Sequence, residues 1–394
     1  MTLLRRELLL GLAASLALMG TAPFAEKVWA ADPIRLAAPF NVTGAVSSLD
    51  APALNGAKLK VAEINAAGGV LGRPLELVIF DTKSDPTTIA TVASQLVGSG
   101  KLAAGLGFTD SDSALALGPI FQKAGIPFVT PGATSPKLPD QVGDTMFLAC
   151  FGDNVQAAAG AEFVLSKLNA KKTFLLRDNS SEYTTLLAKY FEEAYTKGGG
   201  TLVGHDDYKA GDKSLAAQIT KIKALADKPE AIFISALPDD IGLVVKQFRQ
   251  SGLMQPIVGG DGYDTPLLVS VGGKASNDVY FSTHAYMAAD GTPAIQGFIK
   301  AYNAANKTDP ENAFAALGYD TVALIADAIK RAGSDDPAKV KEALAATKGL
   351  EGITGTISFR PGVRVPDKTA TIIGVKDEKL FLAGQVTPSF VPAP

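Results

Sequence analysis

The chain has 394 residues, 47% of them hydrophobic and 20% charged, with 37 basic side chains against 40 acidic ones. At about 100–200 residues per domain it can hold two cores, and its composition excludes wholesale disorder. The near-balance of charge leaves no polycationic footprint for nucleic acid, the single cysteine, Cys150, excludes an internal disulfide or a cysteine-cluster zinc site, and two distant histidines, His205 and His284, exclude a histidine-rich metal site. Residues 1–30 read as an export signal: Arg5-Arg6 precede an apolar run from Leu8 to Met19, and Val28-Trp29-Ala30 offers small residues for cleavage before Ala31. The run is shorter than the roughly 18–20 residues of a spanning helix, and no cysteine stands near the cleavage point to carry a lipid. An exported, soluble, periplasmic protein without a direct membrane anchor is expected, with the general secretory and twin-arginine routes both open.

Strand-length apolar runs and helical patterns then alternate. Ile34 to Phe40 reads as a buried strand. A helix follows from about Asp50, whose carboxylate is placed to cap it, with Pro52 in its first turn and Leu54, Ala57, Val61 and Ile64 at helical spacing. Gly68-Gly69 ends it. Leu75–Phe80 is the next strand, Pro86–Gly98 a helix and Leu102–Leu106 a strand; helix 113–124, strand 126–130, helix 154–168 and strand 173–176 continue the series. Later strands fall near 202–206, 231–235, 256–258 and 279–281. Helices near 292–304, 313–332 and 336–347 precede strands near 353–359, 370–375 and 380–385. So many strand–helix units exceed one core, and an α/β protein of two doubly wound parallel-sheet lobes is expected.

Enzymatic signatures approach and break. Gly105-Leu106-Gly107-Phe108-Thr109-Asp110 follows a strand as a dinucleotide loop does, but Asp110 replaces the third glycine and its charge would oppose a pyrophosphate. Gly98-Ser99-Gly100-Lys101 lacks both the upstream glycine and the hydroxyl of a phosphate loop. No Gly-x-Ser-x-Gly elbow occurs, and the Asp110/Asp112 segment lacks the glycine and distal glutamate of a calcium loop. Cys150 follows a strand-like run and reads as a buried small residue; His205 reads as a surface residue and His284 as one near a passage between lobes. No catalytic group, cofactor or metal is expected.

Three strand-end loops share a character suited to ligands. Gly107 to Ser113 and Pro131 to Pro136 present hydroxyls and backbone N–H groups that can hold a carboxylate without a cation. Gly259-Gly260-Asp261-Gly262-Tyr263 sets one carboxylate among glycines, able to receive an ammonium group. Each loop by itself also reads as turn chemistry or helix capping; their conjunction says more.

Asn65-Ala66-Ala67-Gly68-Gly69-Val70-Leu71-Gly72-Arg73-Pro74-Leu75, then Asp81, Asp85-Pro86, Gly125-Ile126-Pro127 and Pro131-Gly132-Ala133-Thr134, occur in the order found in one family. Over essentially the whole mature chain the sequence resembles the periplasmic leucine/isoleucine/valine-binding proteins, the type I receptors of branched-chain amino acid ABC importers. The resemblance implies two lobes joined by three crossovers and closing by hinge bending, here 31–150 with 284–354 and 151–283 with 355–394. It further implies a small-molecule ligand, a membrane ABC permease as partner and no enzymatic activity. By the same resemblance Ser111 and the loop residues Gly132, Ala133 and Thr134 meet the ligand's α-carboxylate. Tyr183 approaches from the second lobe, and Asp261 takes the α-ammonium.

Departures accompany the match. Leu49 stands where some relatives have an aromatic, Ser84 and Asp110 where some have a disulfide, and Ala236-Leu237-Pro238-Asp239-Asp240 near a second tyrosine. Asp110 beside Ser111 sets like charge against a carboxylate unless it points away or meets a cation. The expected ligand is an aliphatic amino acid; an aromatic or keto acid without an ammonium is the alternative within the fold, and an exported α/β hydrolase the alternative outside it.

Overall fold

The computed structural model describes residues 31–394; the export signal expected over residues 1–30 lies outside them. The first lobe is built on β1 (Ile34–Phe40), β2 (Leu75–Asp81), β3 (Ala104–Leu106), β4 (Phe128–Thr130) and β5 (Met146–Leu148), all parallel, in the order β2-β1-β3-β4-β5. Helices α1 (Ser47–Ala66), α2 (Pro86–Gly98), α3 (Ser111–Ala124) and α4 (Leu138–Val142) connect them. Central β1 is buried almost throughout, while edge strand β2 is buried mainly at Leu75, as a sheet covered on both faces requires.

The second lobe repeats the plan. After α5 (Asp153–Ser166) come β6 (Lys172–Asp178), α6 (Glu182–Lys197), β7 (Thr201–Tyr208), α7 (Ala216–Ala224), β8 (Ala231–Ser235), α8 (Pro238–Gln250), β9 (Ile257–Gly259), α9 (Pro266–Gly272) and β10 (Val279–Thr283). Their parallel order β7-β6-β8-β9-β10 matches the first sheet strand for strand. The chain returns to the first lobe for α10 (Pro293–Asn306), α11 (Phe314–Ala332), α12 (Pro337–Ala345), β11 (Leu350–Gly352) and β12 (Gly355–Ile357). It closes on the second sheet with β13 (Ala370–Lys376) and β14 (Lys379–Val386). The doubly wound α/β architecture is therefore as expected.

Details differ from the sequence reading for local reasons. The first helix starts at Ser47, so Asp50 lies inside it and does not cap it; its Oδ2 instead accepts the Asn41 amide at 2.6 Å. Pro52 then has no N–H for the Ser48 carbonyl four residues back, and the Asn312 side chain donates to that carbonyl at 2.9 Å. The strand expected over 353–359 is the short antiparallel hairpin β11–β12, because Asp320 on α11 accepts the Ile353 and Thr354 amides and bends the chain there. Strands β13 and β14 run antiparallel to their neighbours. Asp377 and Glu378, both at positive φ, turn the chain in two residues, the geometry of a tight hairpin.

The first core joins β1–β5 to α11, α12 and the chain as far as Phe359, whose ring lies 5.6 Å from that of Phe147. Beyond Phe359 the chain still touches this lobe, with Val365 packed against its core and the Arg364 carbonyl accepting the Leu148 amide at 3.0 Å. Separate apolar clusters fill the second lobe on the two faces of its sheet. The chain passes between the two sheets at Ala149–Gly152, over the segment from His284 to Thr292, and over that from Pro366 to Thr369.

Candidate functional site

In each lobe the order of strands reverses beside the first strand, between β1 and β3 and between β6 and β8, and loops leaving the carboxyl ends there diverge to leave a crevice. The two crevices face each other. Between them lies a narrow pocket whose cavity volume is only about 10 Å³, lined by Val46, Leu49, Thr109, Asp110 and Phe314 of the first lobe and by Tyr183, Leu237, Pro238, Asp261 and Gly262 of the second. Its walls are mostly apolar, with carboxyl groups at Asp110 and Asp261.

Asp261 stands on a short 3-10 turn directly after β9. Its Oδ1 accepts from Gln156 Nε2 at 3.0 Å, its Oδ2 is 2.9 Å from His284 Nε2, and its amide donates to Gln156 Oε1 at 3.0 Å. Tyr183, in the first turn of α6, accepts the Gly262 amide on its hydroxyl at 2.9 Å. Burial, and then the charge of Asp261, push this phenol well above its ordinary value. Asp153 at the start of α5 accepts from the same Gln156 amide at 2.9 Å, and burial, reinforced by Asp261, pushes its carboxyl well up.

At the other end Asp110 caps α3, accepting the Ser113 amide at 3.1 Å, and takes a second donor from Asn41 Nδ2 at 3.3 Å. Burial lifts it to about 6 against these bonds, and no cation meets it among the described residues. Behind it, the Asp50 carboxyl is lifted by burial to about 7. Ser111 is buried and does not line the pocket; its oxygen accepts the Ser135 amide at 3.0 Å, which leaves its hydroxyl proton for another acceptor. Gly132 and Ala133 lie behind the wall. Their amides go to Phe108 O at 3.4 Å and to Thr130 Oγ1 at 2.9 Å. Gly132 must be glycine, since a Cβ would stand 2.6 Å from the Phe314 ring. Thr134 faces the other lobe, its carbonyl accepting the Asp153 amide at 2.7 Å and its hydroxyl 3.4 Å from Gln156 Nε2.

The lobes are closed on each other. Asp112 accepts from Ser181 Oγ at 2.6 Å and from the Glu182 amide at 3.3 Å, so a first-lobe carboxylate caps α6 across the cleft. In the opposite sense Asp264 of the second lobe accepts the Ala313 amide at the start of α11 at 3.1 Å. Ser135 Oγ donates to Glu182 Oε1 at 3.1 Å beside the first of these. A larger cavity of about 1150 Å³ opens between the second and third passages, bordered by His284 to Tyr286 after β10 and by the turn between β11 and β12.

The expected Asp110, Tyr183 and Asp261 therefore meet at one pocket, with Ser111, Gly132, Ala133 and Thr134 one layer back. Gln156, His284, Phe314 and Thr109 were not singled out as site residues by the sequence. The Cys150 thiol is buried against Ala133 O, and burial pushes its pKa well up, so it is no exposed nucleophile.

A narrow pocket closed between the switch points of two α/β lobes, with the interlobe passages behind it, is the arrangement of a bilobed solute-binding receptor. Residues 33–379 match the family described as periplasmic binding protein, and the chain belongs to that family. It is 32% identical over 354 residues to the Leu/Ile/Val-binding protein homolog 3 of Brucella melitensis, covering 89% of this chain and 93% of that protein. It is 30% identical to the leucine-, isoleucine-, valine-, threonine-, and alanine-binding protein of Pseudomonas aeruginosa, over 87% of this chain and 90% of the relative. Among solved structures, the substrate-binding protein LivJ of Streptococcus pneumoniae, in complex with isoleucine, superposes with a TM-score of 0.83 at 34% identity, over 90% of this chain and all of that one. These relatives are solute-binding receptors. Among the described residues no helix is long and apolar enough to cross a membrane.

Proposed function

We propose that the protein is the soluble periplasmic receptor of an ABC importer, without enzymatic activity, and that it captures a small aliphatic amino acid between its lobes. The observation that carries this reading is Asp261: a buried carboxylate aimed at a closed pocket with aliphatic and phenyl walls and no cationic side chain. An ammonium group completes such a site, whereas an anionic ligand lacking one would leave it unpaired. Val46, Leu49, Leu237, Pro238 and Phe314 suit a compact apolar side chain. Ser111, Thr134 and the amides of Gly132 and Ala133 take the α-carboxylate when the ligand displaces their internal partners, and Tyr183 closes over it. Closure removes water and strengthens each polar contact, and the closed pair of lobes is the shape offered to the permease. The three similar receptors quoted above, which bind isoleucine or are named for branched-chain amino acids, support the ligand class.

Calorimetry on refolded, ligand-free protein tests the reading. Leucine, isoleucine or valine should bind, and Asp261→Asn should weaken the tightest of them by about 3 kcal/mol, roughly a hundredfold. Equal affinity for parent and variant, or tighter binding of the corresponding keto acids, would remove the ammonium from the site.

A further inference from the structure

His284 is the first residue of the second passage, immediately after β10, and its side chain is 1% exposed. Its ring stacks on Phe151 of the first passage, with centroids 4.0 Å apart and planes at 25°. Its other side meets the edge of Phe314, which lines the ligand pocket from α11, at 5.6 Å. Together with Lys368 and Thr354 of the segments around the third passage it also borders the hinge-side cavity. One imidazole thus touches elements of both lobes where the passages converge, while its Nε2 is 2.9 Å from the carboxylate assigned to the ammonium.

The tautomer follows from chemistry. The charged groups facing the ring are Asp261 and, from the third passage, Lys368. Burial, with Lys368 assisting, holds the imidazole below its ordinary value against the pull of Asp261. A neutral ring has one N–H, and the 2.9 Å contact between Nε2 and the Asp261 oxygen is a donation from the ring when that proton sits on Nε2. Nδ1 is then a buried acceptor without a partner among the described residues. Buried polar atoms are rarely left so, and a phenyl ring would fill the stack without that cost.

We infer that His284 is a positioning residue: by donating from Nε2 it fixes the Asp261 carboxylate for the ligand's ammonium and ties that carboxylate to the hinge. Movement of the passages turns the imidazole with them, so the ammonium-binding geometry is assembled only as the lobes close. The inference rests on the proposed ammonium role of Asp261 and deepens it.

The test compares His284→Leu, which keeps an apolar side chain but loses the donor, with His284→Gln, which restores an N–H at similar reach. Calorimetry is run with leucine and with 4-methylpentanoate, its deaminated analogue. Leucine should weaken about tenfold or more in the Leu variant and return to within about threefold of the parent in the Gln variant. The analogue should bind all three proteins alike. Parent-like leucine binding by His284→Leu, or equal loss of both ligands, would overturn the inference and leave a packing role. A parent that binds 4-methylpentanoate as tightly as leucine would instead sink the ammonium reading. The tautomer is checked without any ligand, in ¹⁵N-histidine spectra that contain only two residues. A neutral Nε2–H ring for His284 at about pH 6, lost in Asp261→Ala, is expected; an Nδ1–H or doubly protonated ring in the parent overturns the inference.

Discussion

At the scale of single residues, Asp110 poses the sharpest electrostatic question, because it lies at the end of the pocket proposed to take a carboxylate and no cation neutralises it. Its bonds to Ser113 and Asn41 make it a helix cap, and burial lifts it to about 6. Below that pH it is protonated and tolerates a carboxylate nearby; above it the group ionises and repels one. Affinity for an amino acid should therefore fall as pH rises from about 5 to about 8, by about 1 kcal/mol or roughly fivefold. Asp110→Asn, which caps equally well, should flatten this slope, leaving only what Asp50 behind it contributes near pH 7; an unchanged slope in calorimetry would show that Asp110 does not sense the ligand. Asp110 and Asp261 stood out in the sequence because each lies in a strand-end loop with glycines, where open α/β sheets bind, whereas Tyr183 was pointed to by the family resemblance alone. Gln156, His284 and Phe314 did not stand out. They sit on a helix, a passage and a helix start, and only the register between segments far apart in sequence brings them to Asp261.

Secondary-structure elements were the most readable level, since apolar spacing and glycine or proline punctuation are local properties. What escaped was set by contacts at a distance: Asp320 folding a strand into a hairpin, and Asn312 serving the carbonyl that Pro52 leaves free. The crossing of α1 and α11 is of the same kind. Gly56 and Gly318 let the two backbones touch, for a Cβ on Gly318 would stand 1.9 Å from the Ala53 carbonyl oxygen and one on Gly56 1.8 Å from that of Ala315. The crossing holds Leu49 and Phe314, two walls of the pocket, at their separation. Gly318→Ala must push the helices apart and should lower stability by about 2–3 kcal/mol in urea unfolding. Gly297→Ala, on α10 where a Cβ meets nothing within 4 Å, should be neutral or stabilise by about 0.5–1 kcal/mol. Similar losses in both would mean that chain stiffness, not the crossing, governs the response.

At the scale of the whole molecule, the two lobes share one strand order, so their switch points face each other and the function reduces to how closure is held. Among the bonds that hold it are carboxylates of one lobe set against helix starts of the other, Asp112 on α6 and Asp264 on α11. The Asp112 contact is nearer the rim. It replaces the side-chain cap that α6 lacks from its own Ser181, and it exists only while the lobes are closed. When they part, water serves both groups, so removing the carboxylate raises the energy of the closed form alone. A missing cap of this kind costs about 1–1.5 kcal/mol. Since apparent affinity scales with the population able to close, Asp112→Ala should weaken ligand binding roughly five- to tenfold while the unfolding midpoint of the ligand-free, open protein hardly moves. Small-angle scattering at saturating ligand should still show the compact closed form, because the ligand's own contacts remain. A variant that binds as the parent does would mean that closure is driven by the ligand alone and that Asp112 meets α6 only as a passive neighbour.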